Sequence, residues 1–308
     1  MGFVLAKRLL DSGCNLAVFN RTRSKAEPLA ELGAEIVDSV PKLADRDIVF
    51  SIVSGPDDLR SVIAGPGGLF SREDAKPGIV VDLTTVSAEA SAEVRAAGEA
   101  VGTRFLAAPV SGNPNVARAG RLTFVVSGPR GAFEEARPYL ETLGEGATYV
   151  GDGELARLVK IAHNLLLGVV AETVAEITVL AEKGGVPRAS FLEFLNKSVM
   201  GSTFTRYKTP AFVKLDWSPT FTPVLLRKDF DLGLAEGESL GVELPVCELV
   251  RAQVQALIDQ GYVDCDFAAL LEMHARAAGL ELVPEAAAVT DGLAPAQAVP
   301  QQVAPAAS

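Results

Sequence analysis

Lys160 and Asn164 are the two residues whose types and spacing point most directly to catalysis. They stand four positions apart in an otherwise apolar stretch, so on a helix both side chains project from one face. Burial lowers the pKa of a lysine toward the range in which an amine exchanges protons near neutral pH. Lys160 would then protonate a carbonyl oxygen during reduction and act as a base in reverse, while Asn164 would hold that oxygen or orient Lys160. The alternative interpretation is a lysine whose ammonium reaches into solvent near a helix start.

The N-terminal residues have the pattern of a dinucleotide-binding βαβ unit. Residues 2–10 are typical of its first helix, and Gly2 fits the last glycine of G-x-G-x-x-G. After the next strand, an acid would bind the ribose of NAD, but Asn20, Arg21 and Thr22 stand there instead. Arg21 can pair with a 2′-phosphate and Thr22 can donate a hydrogen bond to it, which favours NADP(H). The alternative is an ordinary turn with Arg21 in solvent.

Five separated motifs resemble those of the β-hydroxyacid dehydrogenase family, in the family's order and over roughly residues 1–280. That family includes 3-hydroxyisobutyrate dehydrogenase, tartronate semialdehyde reductase and glyoxylate/succinic semialdehyde reductases. The five motifs are Asn20-Arg21-Thr22, D-L-T-T-V-S at 82–87, F-L-A-A-P-V-S-G-N at 105–113, Gly151-Asp152-Gly153 followed by Lys160 and Asn164, and R-K-D-F at 227–230. Two residues depart from the family pattern: Ala107 replaces an aspartate and Asn113 replaces a glycine.

The resemblance implies an NADP(H)-preferring oxidoreductase, with NAD also possible. It would transfer a hydride between nicotinamide and a small carboxylate-bearing β-hydroxy acid or semialdehyde, with Lys160 as the general acid/base. A catalytically inactive or regulatory nucleotide-binding homologue, which has lost its phosphate-binding turn, is the alternative. An imine reductase is disfavoured because those enzymes usually lack a lysine at the position of Lys160.

The same resemblance assigns roles to further residues. It implies that Ser111, Gly112 and Asn113 receive the substrate carboxylate, although a plain turn is the alternative because Gly and Asn tolerate positive φ. Thr85 would lie near the nicotinamide, unless its hydroxyl only satisfies backbone groups at a strand end. Lys228 would add positive charge for the carboxylate or face the nicotinamide, and a solvent-exposed helix lysine is its alternative.

The hydrophobic pattern predicts how the chain positions these residues. It indicates two domains followed by a C-terminal tail. Strand-like and helical stretches alternate over residues 1–152, which predicts an α/β domain with a doubly wound, Rossmann-type parallel sheet. The resemblance implies that this domain binds NADP. Residues 153–283 are predicted to form an all-helical domain for substrate binding and dimerisation. Its first element is a long joining helix over 154–183, apolar on every side around 165–171. Residues 284–308 are rich in Ala and Pro and are predicted to be a disordered tail.

The start of the chain lacks the strand and Gly-x-Gly turn that precede the first helix of such a domain. We therefore expect the functional chain to begin about 10 residues upstream of Met1, enough for one strand and a turn. A Gly2 that opens the first helix would still contribute to the cofactor site.

Composition narrows the possible partners. The net charge of −11 repels phosphodiester backbones and anionic lipid, so we expect neither a nucleic-acid nor a membrane partner. No uncharged run reaches membrane-spanning length. Three dispersed cysteines indicate a reducing, cytoplasmic location, and with only two histidines they give no metal site. Apolar helical faces in the second domain suggest a homodimer or higher homo-oligomer.

Overall fold

A computed structural model describes residues 1–293, which fall into two compact units. The first unit is Met1–Lys160 and the second begins at Ile161. The division lies inside one long helix, eight residues later than the predicted domain boundary at 152/153.

The first unit alternates strands with helices. Its elements are α1 (Gly2–Asp11), β1 (Ala17–Val18), β2 (Glu35–Ile36), β3 (Ile48–Ser51), α2 (Pro56–Ala64), β4 (Ile79–Asp82), α3 (Ala88–Ala100), β5 (Arg104–Ala107), β6 (Val110–Ser111), α4 (Pro114–Arg118), β7 (Leu122–Ser127), α5 (Arg130–Leu143), β8 (Gly144–Gly151) and the start of α6 (Leu155–Lys183).

The strands form a two-stranded sheet and a six-stranded sheet. β1 and β2 are parallel, and the larger sheet has the order β3-β4-β5-β7-β6 with β8 paired to β7. β3, β4 and β5 are parallel and in register, as predicted for a Rossmann-type sheet. β7 is antiparallel to both β5 and β6, so this half of the sheet is mixed.

The core of the first unit lies where α2 and α3 pack on the parallel strands. Leu59, Ile63, Val80, Val94 and Phe105 are buried there. Burial on both faces explains why β4 is an unbroken apolar run rather than an alternating one.

The helix-patterned residues 23–32 do not form one continuous α-helix. Residues 23–32 form two 3-10 helices, Arg23–Lys25 and Glu27–Leu32. Pro28 explains the difference, because proline lacks an N–H and disfavours the α conformation at the preceding residue.

The second unit is all-helical over its described residues. Its elements are the rest of α6, α7 (Arg188–Lys197), α8 (Thr203–Lys214), α9 (Pro223–Leu240), α10 (Pro245–Asp259) and α11 (Leu270–Ala277). Two apolar clusters form its core, one around Phe212 and Leu271 and one around Leu226 and Phe230.

α6 meets the length and apolarity of a membrane-spanning helix, although its charged residues leave no uncharged run of that length. Half of its most apolar 18-residue stretch is buried inside the protein, as in the core helices of globular proteins. A helix that is apolar on every side, as around 165–171, is expected to be buried on every side, but Leu166 is 63% exposed.

Residues 284–293 differ from the predicted disordered tail. The Glu285 carboxylate accepts hydrogen bonds from the backbone N–H groups of Arg188 and Ala189, at 2.7 and 3.0 Å. Lys214 donates to the carbonyl oxygens of Glu285 and Ala287, at 2.9 and 2.7 Å. The remainder of the predicted tail, 294–308, lies outside the described residues.

Candidate active site

The carboxyl ends of β3, β4 and β5 lie side by side at one edge of the large sheet. Ser51, Asp82 and Ala107 are the last residues of these strands and are aligned with one another. Ligands of open α/β sheets bind outside this edge, because the loops after the strands converge there. The predicted residues Thr85 and Ser111 both follow strands that end at this edge.

Asp82 organises the loop that follows β4. Its Oδ1 accepts hydrogen bonds from the Ser51 and Thr84 hydroxyls, each at 2.7 Å. The Thr84 hydroxyl also accepts the backbone N–H of Val53 at 3.2 Å. The Thr84 hydroxyl therefore satisfies polar groups at the strand end, while Thr85 is half-buried on the same loop.

The loop with the predicted carboxylate-binding residues is held in a fixed conformation. Ser111 ends β6 and pairs with Thr123 of β7. Gly112 has φ +126°, and an added Cβ would lie 2.7 Å from the Leu122 and Val116 side chains, so only glycine fits. The Asn113 side-chain oxygen caps α4 by accepting the N–H groups of Asn115 and Val116. The Asn113 amide oxygen therefore has a structural role, which agrees with the alternative of a plain turn. The groups of this loop that remain for a ligand are the backbone N–H groups and the Ser111 hydroxyl.

Lys160 lies two turns into α6 and is only 8% exposed. This burial disagrees with the alternative interpretation, in which the ammonium of Lys160 reaches into bulk solvent. The residues just before Lys160 are hydrogen-bonded to other elements of the first unit. The Ser127 hydroxyl donates to the Gly153 carbonyl at 2.7 Å and accepts the Ala156 N–H at 3.0 Å. Arg95 donates to the Glu154 carboxylate at 2.7 Å.

Asn164 is buried within the second unit, where it contacts Asp229. Its Nδ2 donates to Asp229 Oδ2 at 2.6 Å, and the other Asp229 oxygen lies 3.8 Å from Lys228 Nζ. Asp229 is buried, whereas the Lys228 side chain is 41% exposed. Asp229 therefore fixes the orientation of the Asn164 side chain. Its negative charge also attracts the Lys228 ammonium. His163 Nδ1 lies 3.0 Å from Asn164 Oδ1, and the ring is half-buried.

The predicted phosphate-binding turn follows β1. Asn20 Oδ1 accepts the Thr22 N–H at 2.9 Å, which closes the turn. Arg21 is 84% exposed and pairs with Asp58 at 3.1 Å. A surface ion pair of this kind contributes little free energy, so a phosphate group can displace Asp58 from the guanidinium.

The groups around α1 fit a nicotinamide dinucleotide. α1 begins at Gly2, and its first N–H groups are suited to bind a pyrophosphate. Gly2 borders a cavity of about 650 Å³, together with Asn20 after β1, Lys25 in the short helix 23–25 and Ile52 after β3. The N-terminus of α1, Lys25 and Arg21 are donor groups of the kind that phosphates bind. Among residues 1–293 no cluster of His, Cys, Asp and Glu could hold a metal ion.

Two residues of this region were not identified from the sequence. Arg157 is buried one turn before Lys160, and its guanidinium pairs with Asp82 at 2.6 Å. Asp82 was noticed only as part of a motif. The sequence does contain a signal for Arg157. An arginine among the apolar residues at the start of α6 must either lie on an exposed face of the helix or pair with a buried acidic group.

Comparisons with known proteins cover both units. Residues 1–151 match the NAD binding domain of 6-phosphogluconate dehydrogenase. Residues 154–274 match a domain described as NAD-binding, of NADP-dependent 3-hydroxyisobutyrate dehydrogenase.

Full-length relatives and a solved structure agree with these matches. The chain is 30% identical to 3-hydroxyisobutyrate dehydrogenase of Pseudomonas aeruginosa, over 89% of this chain and 95% of that protein. It is also 30% identical to glyoxylate/succinic semialdehyde reductase 1 of Arabidopsis thaliana, over 88% and 94%. The crystal structure of 3-hydroxyisobutyrate dehydrogenase from Salmonella typhimurium superimposes with a TM-score of 0.79 at 25% identity, over 88% of this chain and 95% of that one.

Proposed function

Because the chain belongs to the β-hydroxyacid dehydrogenase family and is an NAD(P)-dependent oxidoreductase, we propose that it interconverts a small carboxylate-bearing β-hydroxy acid or semialdehyde and its redox partner, with NADP(H) preferred. The observation that carries this proposal is the burial of Lys160 on α6, close to the helix start that is hydrogen-bonded to Ser127 at the end of β7. Relatives named for 3-hydroxyisobutyrate and for glyoxylate and succinic semialdehyde support the substrate class.

Lys160 is the proposed general acid and base. The bound nicotinamide supplies or accepts the hydride at the substrate carbon. In the reductive direction the Lys160 ammonium gives one proton to the carbonyl oxygen, which becomes the hydroxyl, and the amine is left neutral. In the oxidative direction the neutral amine removes that proton. Asn164, one turn further along α6 and oriented by Asp229, would hold the same oxygen.

The substrate carboxylate would be received by Ser111 and by the backbone N–H groups at Gly112 and Asn113. Lys228 would add positive charge for the carboxylate or face the nicotinamide, and its 41% exposure leaves the ammonium accessible. Because Asn113 caps α4 through its amide oxygen, we assign its substrate contact to the backbone.

The cofactor would lie along the edge of the sheet. The N-terminus of α1 at Gly2 would hold the pyrophosphate, and Thr85 would flank the nicotinamide. Asn20 and Thr22 would shape the turn that presents Arg21 to the 2′-phosphate of NADP. With NAD no phosphate would meet Arg21, which is the basis of the proposed preference.

A turnover assay with a substituted lysine tests the function. NADPH or NADH oxidation is followed with glyoxylate, succinic semialdehyde and tartronate semialdehyde, and the reverse reaction with 3-hydroxyisobutyrate. Lys160→Met should lower kcat by about 100- to 10,000-fold, because it removes the proton donor, and should leave NADPH binding unchanged in a fluorescence titration. Lys183→Met is the control, since Lys183 is at the far end of α6 and contacts the Ala278 carbonyl.

Two outcomes would contradict the proposal. Turnover by Lys160→Met at the rate of the unaltered protein would remove Lys160 from the reaction. NADPH binding without oxidation by any of the substrates would favour the inactive or regulatory nucleotide-binding homologue instead.

We also propose a homodimer or higher homo-oligomer in a reducing cytoplasm. Leu166, Leu180, Phe194 and Met200 are large apolar side chains of the second unit that are all more than 60% exposed. Burial of such a set against a second copy would be favourable. The three cysteines form no disulfide. Light scattering coupled to size-exclusion chromatography measures the mass, and a monomer at micromolar concentration would contradict the oligomer.

A further inference from the structure

Arg157 is a fully buried arginine whose hydrogen bonds reach three parts of the first unit. Its two terminal nitrogens donate to the Asp82 carboxylate, at 2.6 Å, and to the backbone carbonyl of Thr84. Its Nε donates to the Ser91 hydroxyl in α3 at 3.0 Å. One side chain thus links α6 to the end of β4, to the loop after it, and to α3.

Asp82 has little freedom to follow any movement of Arg157. One of its oxygens accepts the Arg157 guanidinium, and the other accepts the Ser51 and Thr84 hydroxyls. All of these groups are buried, so water cannot replace a broken contact, and the geometry of the network is determined by its own members.

Lys160 is three residues after Arg157 on the same helix. At this spacing the two side chains leave neighbouring positions on one side of α6, with a rise of about 4.5 Å along the axis. The helical backbone between them is rigid. A displacement or rotation of α6 at Arg157 is therefore transmitted to the amine of Lys160.

Resting on the proposed function, we infer that Arg157 is a positioning residue for the reaction. Through its ion pair with Asp82 and its bond to the Thr84 carbonyl, it sets the position of the Lys160 amine relative to the loop that carries Thr85. Proton donor and cofactor-side loop are then aligned by one buried guanidinium. An arginine suits this role because its planar fork reaches three acceptors at once, which a lysine cannot do.

The central test is Arg157→Lys, which keeps the positive charge for Asp82 and loses the fork. We expect the variant to fold and to bind NADPH with unchanged affinity. We expect kcat to fall by about 10- to 100-fold, the range for a misplaced catalytic group. A larger solvent deuterium isotope effect on kcat should accompany this loss, because proton transfer from a misplaced amine becomes slower than the other steps.

Two further variants separate positioning from stability. Ser91→Ala removes only the acceptor of Arg157 Nε and should lower kcat by a smaller factor, in the same direction as Arg157→Lys. Arg104→Lys is the matched control, since Arg104 pairs with Glu135 at the opposite end of its strand. It should leave both kcat and the isotope effect unchanged.

The inference is overturned if folded Arg157→Lys keeps the kcat and the isotope effect of the unaltered protein. It is also overturned if the loss in kcat is restored by lowering the assay temperature, since the loss would then come from unfolding alone. Lys160→Met distinguishes a failure of the proposed function from a failure of the positioning role of Arg157. If that variant is inactive while Arg157→Lys is fully active, the proposed function stands and only the positioning role fails.

Discussion

Within residues 1–293, two ion pairs are almost completely buried, one in each unit, and they differ in the cation. In the first unit Arg157 shares its guanidinium among Asp82, Thr84 and Ser91. In the second unit Lys208 Nζ lies 2.5 Å from Asp266, 3.1 Å from the Thr220 hydroxyl and 4.2 Å from the centre of the Phe267 ring.

The difference lies in what each pair connects. Asp266 accepts the N–H groups of Thr220 and Ala268 and so fixes the local backbone around it. Burial raises the pKa of Asp266, but Lys208 and the hydrogen-bond donors outweigh that effect and hold it below its usual range. Arg157 instead joins separate elements next to the proposed proton donor. The Lys208–Asp266 pair therefore stabilises the fold of the second unit, whereas the similarly buried Arg157–Asp82 pair aligns the groups proposed to react.

The largest expected effect separates these two roles. Lys208→Met and Arg157→Met each leave a buried carboxylate without its cation, so each should lower the free energy of unfolding by about 3–5 kcal/mol in urea titrations. Only Arg157→Met should also lower kcat in the fraction that is folded. Adding Asp266→Asn to Lys208→Met should recover part of the lost stability, because the isolated charge is removed. Equal losses of kcat in the two single variants would contradict the comparison.

A smaller effect comes from a third pair, which titrates. His274 Nε2 lies 2.7 Å from the buried Glu172, and this hydrogen bond raises the pKa of His274 above its ordinary value of 6.5. The imidazolium is favoured in the folded state, so its stabilisation is complete below pH 6.5 and is lost as pH rises through the folded pKa.

We expect the stability difference between the unaltered protein and His274→Gln to shrink by about 1–2 kcal/mol across that rise. Urea unfolding at pH 6 and at pH 9 measures it. A difference that is the same at both pH values would show that the imidazole is neutral throughout.

The smallest effect is expected at the surface. The Arg104 side chain is 40% exposed where it pairs with Glu135, and exposed ion pairs contribute about 0–1 kcal/mol. Arg104→Gln should therefore change the melting temperature little and leave kcat unaltered. A loss as large as that of Lys208→Met would show that burial is not what separates these pairs.

Elements with strong local signals could be predicted from the sequence. The helix predicted over 154–183 is observed as Leu155–Lys183, because a mostly apolar stretch without proline ends at Gly184-Gly185. Nearly continuous apolar runs at 48–53 and 79–83 predict buried strands, which are observed as Ile48–Ser51 and Ile79–Asp82. β6 was not predicted, because its two residues are defined by their partners on β7 rather than by any pattern.

The site could be predicted only at the level of single residues. The burial of Lys160 followed from its apolar neighbours. The roles of Arg157 and Asp229 depend on partners 75 and 65 positions away in the chain, which no local pattern reveals. Asn113 shows the opposite case, since an N-cap followed by proline is a local signal that the resemblance to a substrate loop obscured.

The separation of the two sheets has a consequence for handling the protein. β1 pairs with β2 through two residues each, and neither β1 nor β3 is hydrogen-bonded to the other across the cavity beside α1. Open strand edges are templates for strands of other molecules, and a two-stranded sheet is marginally stable alone. Where no further strand pairs with these edges, the β1–β2 pair should be the first part of the first unit to exchange its backbone amides and to associate in concentrated solutions.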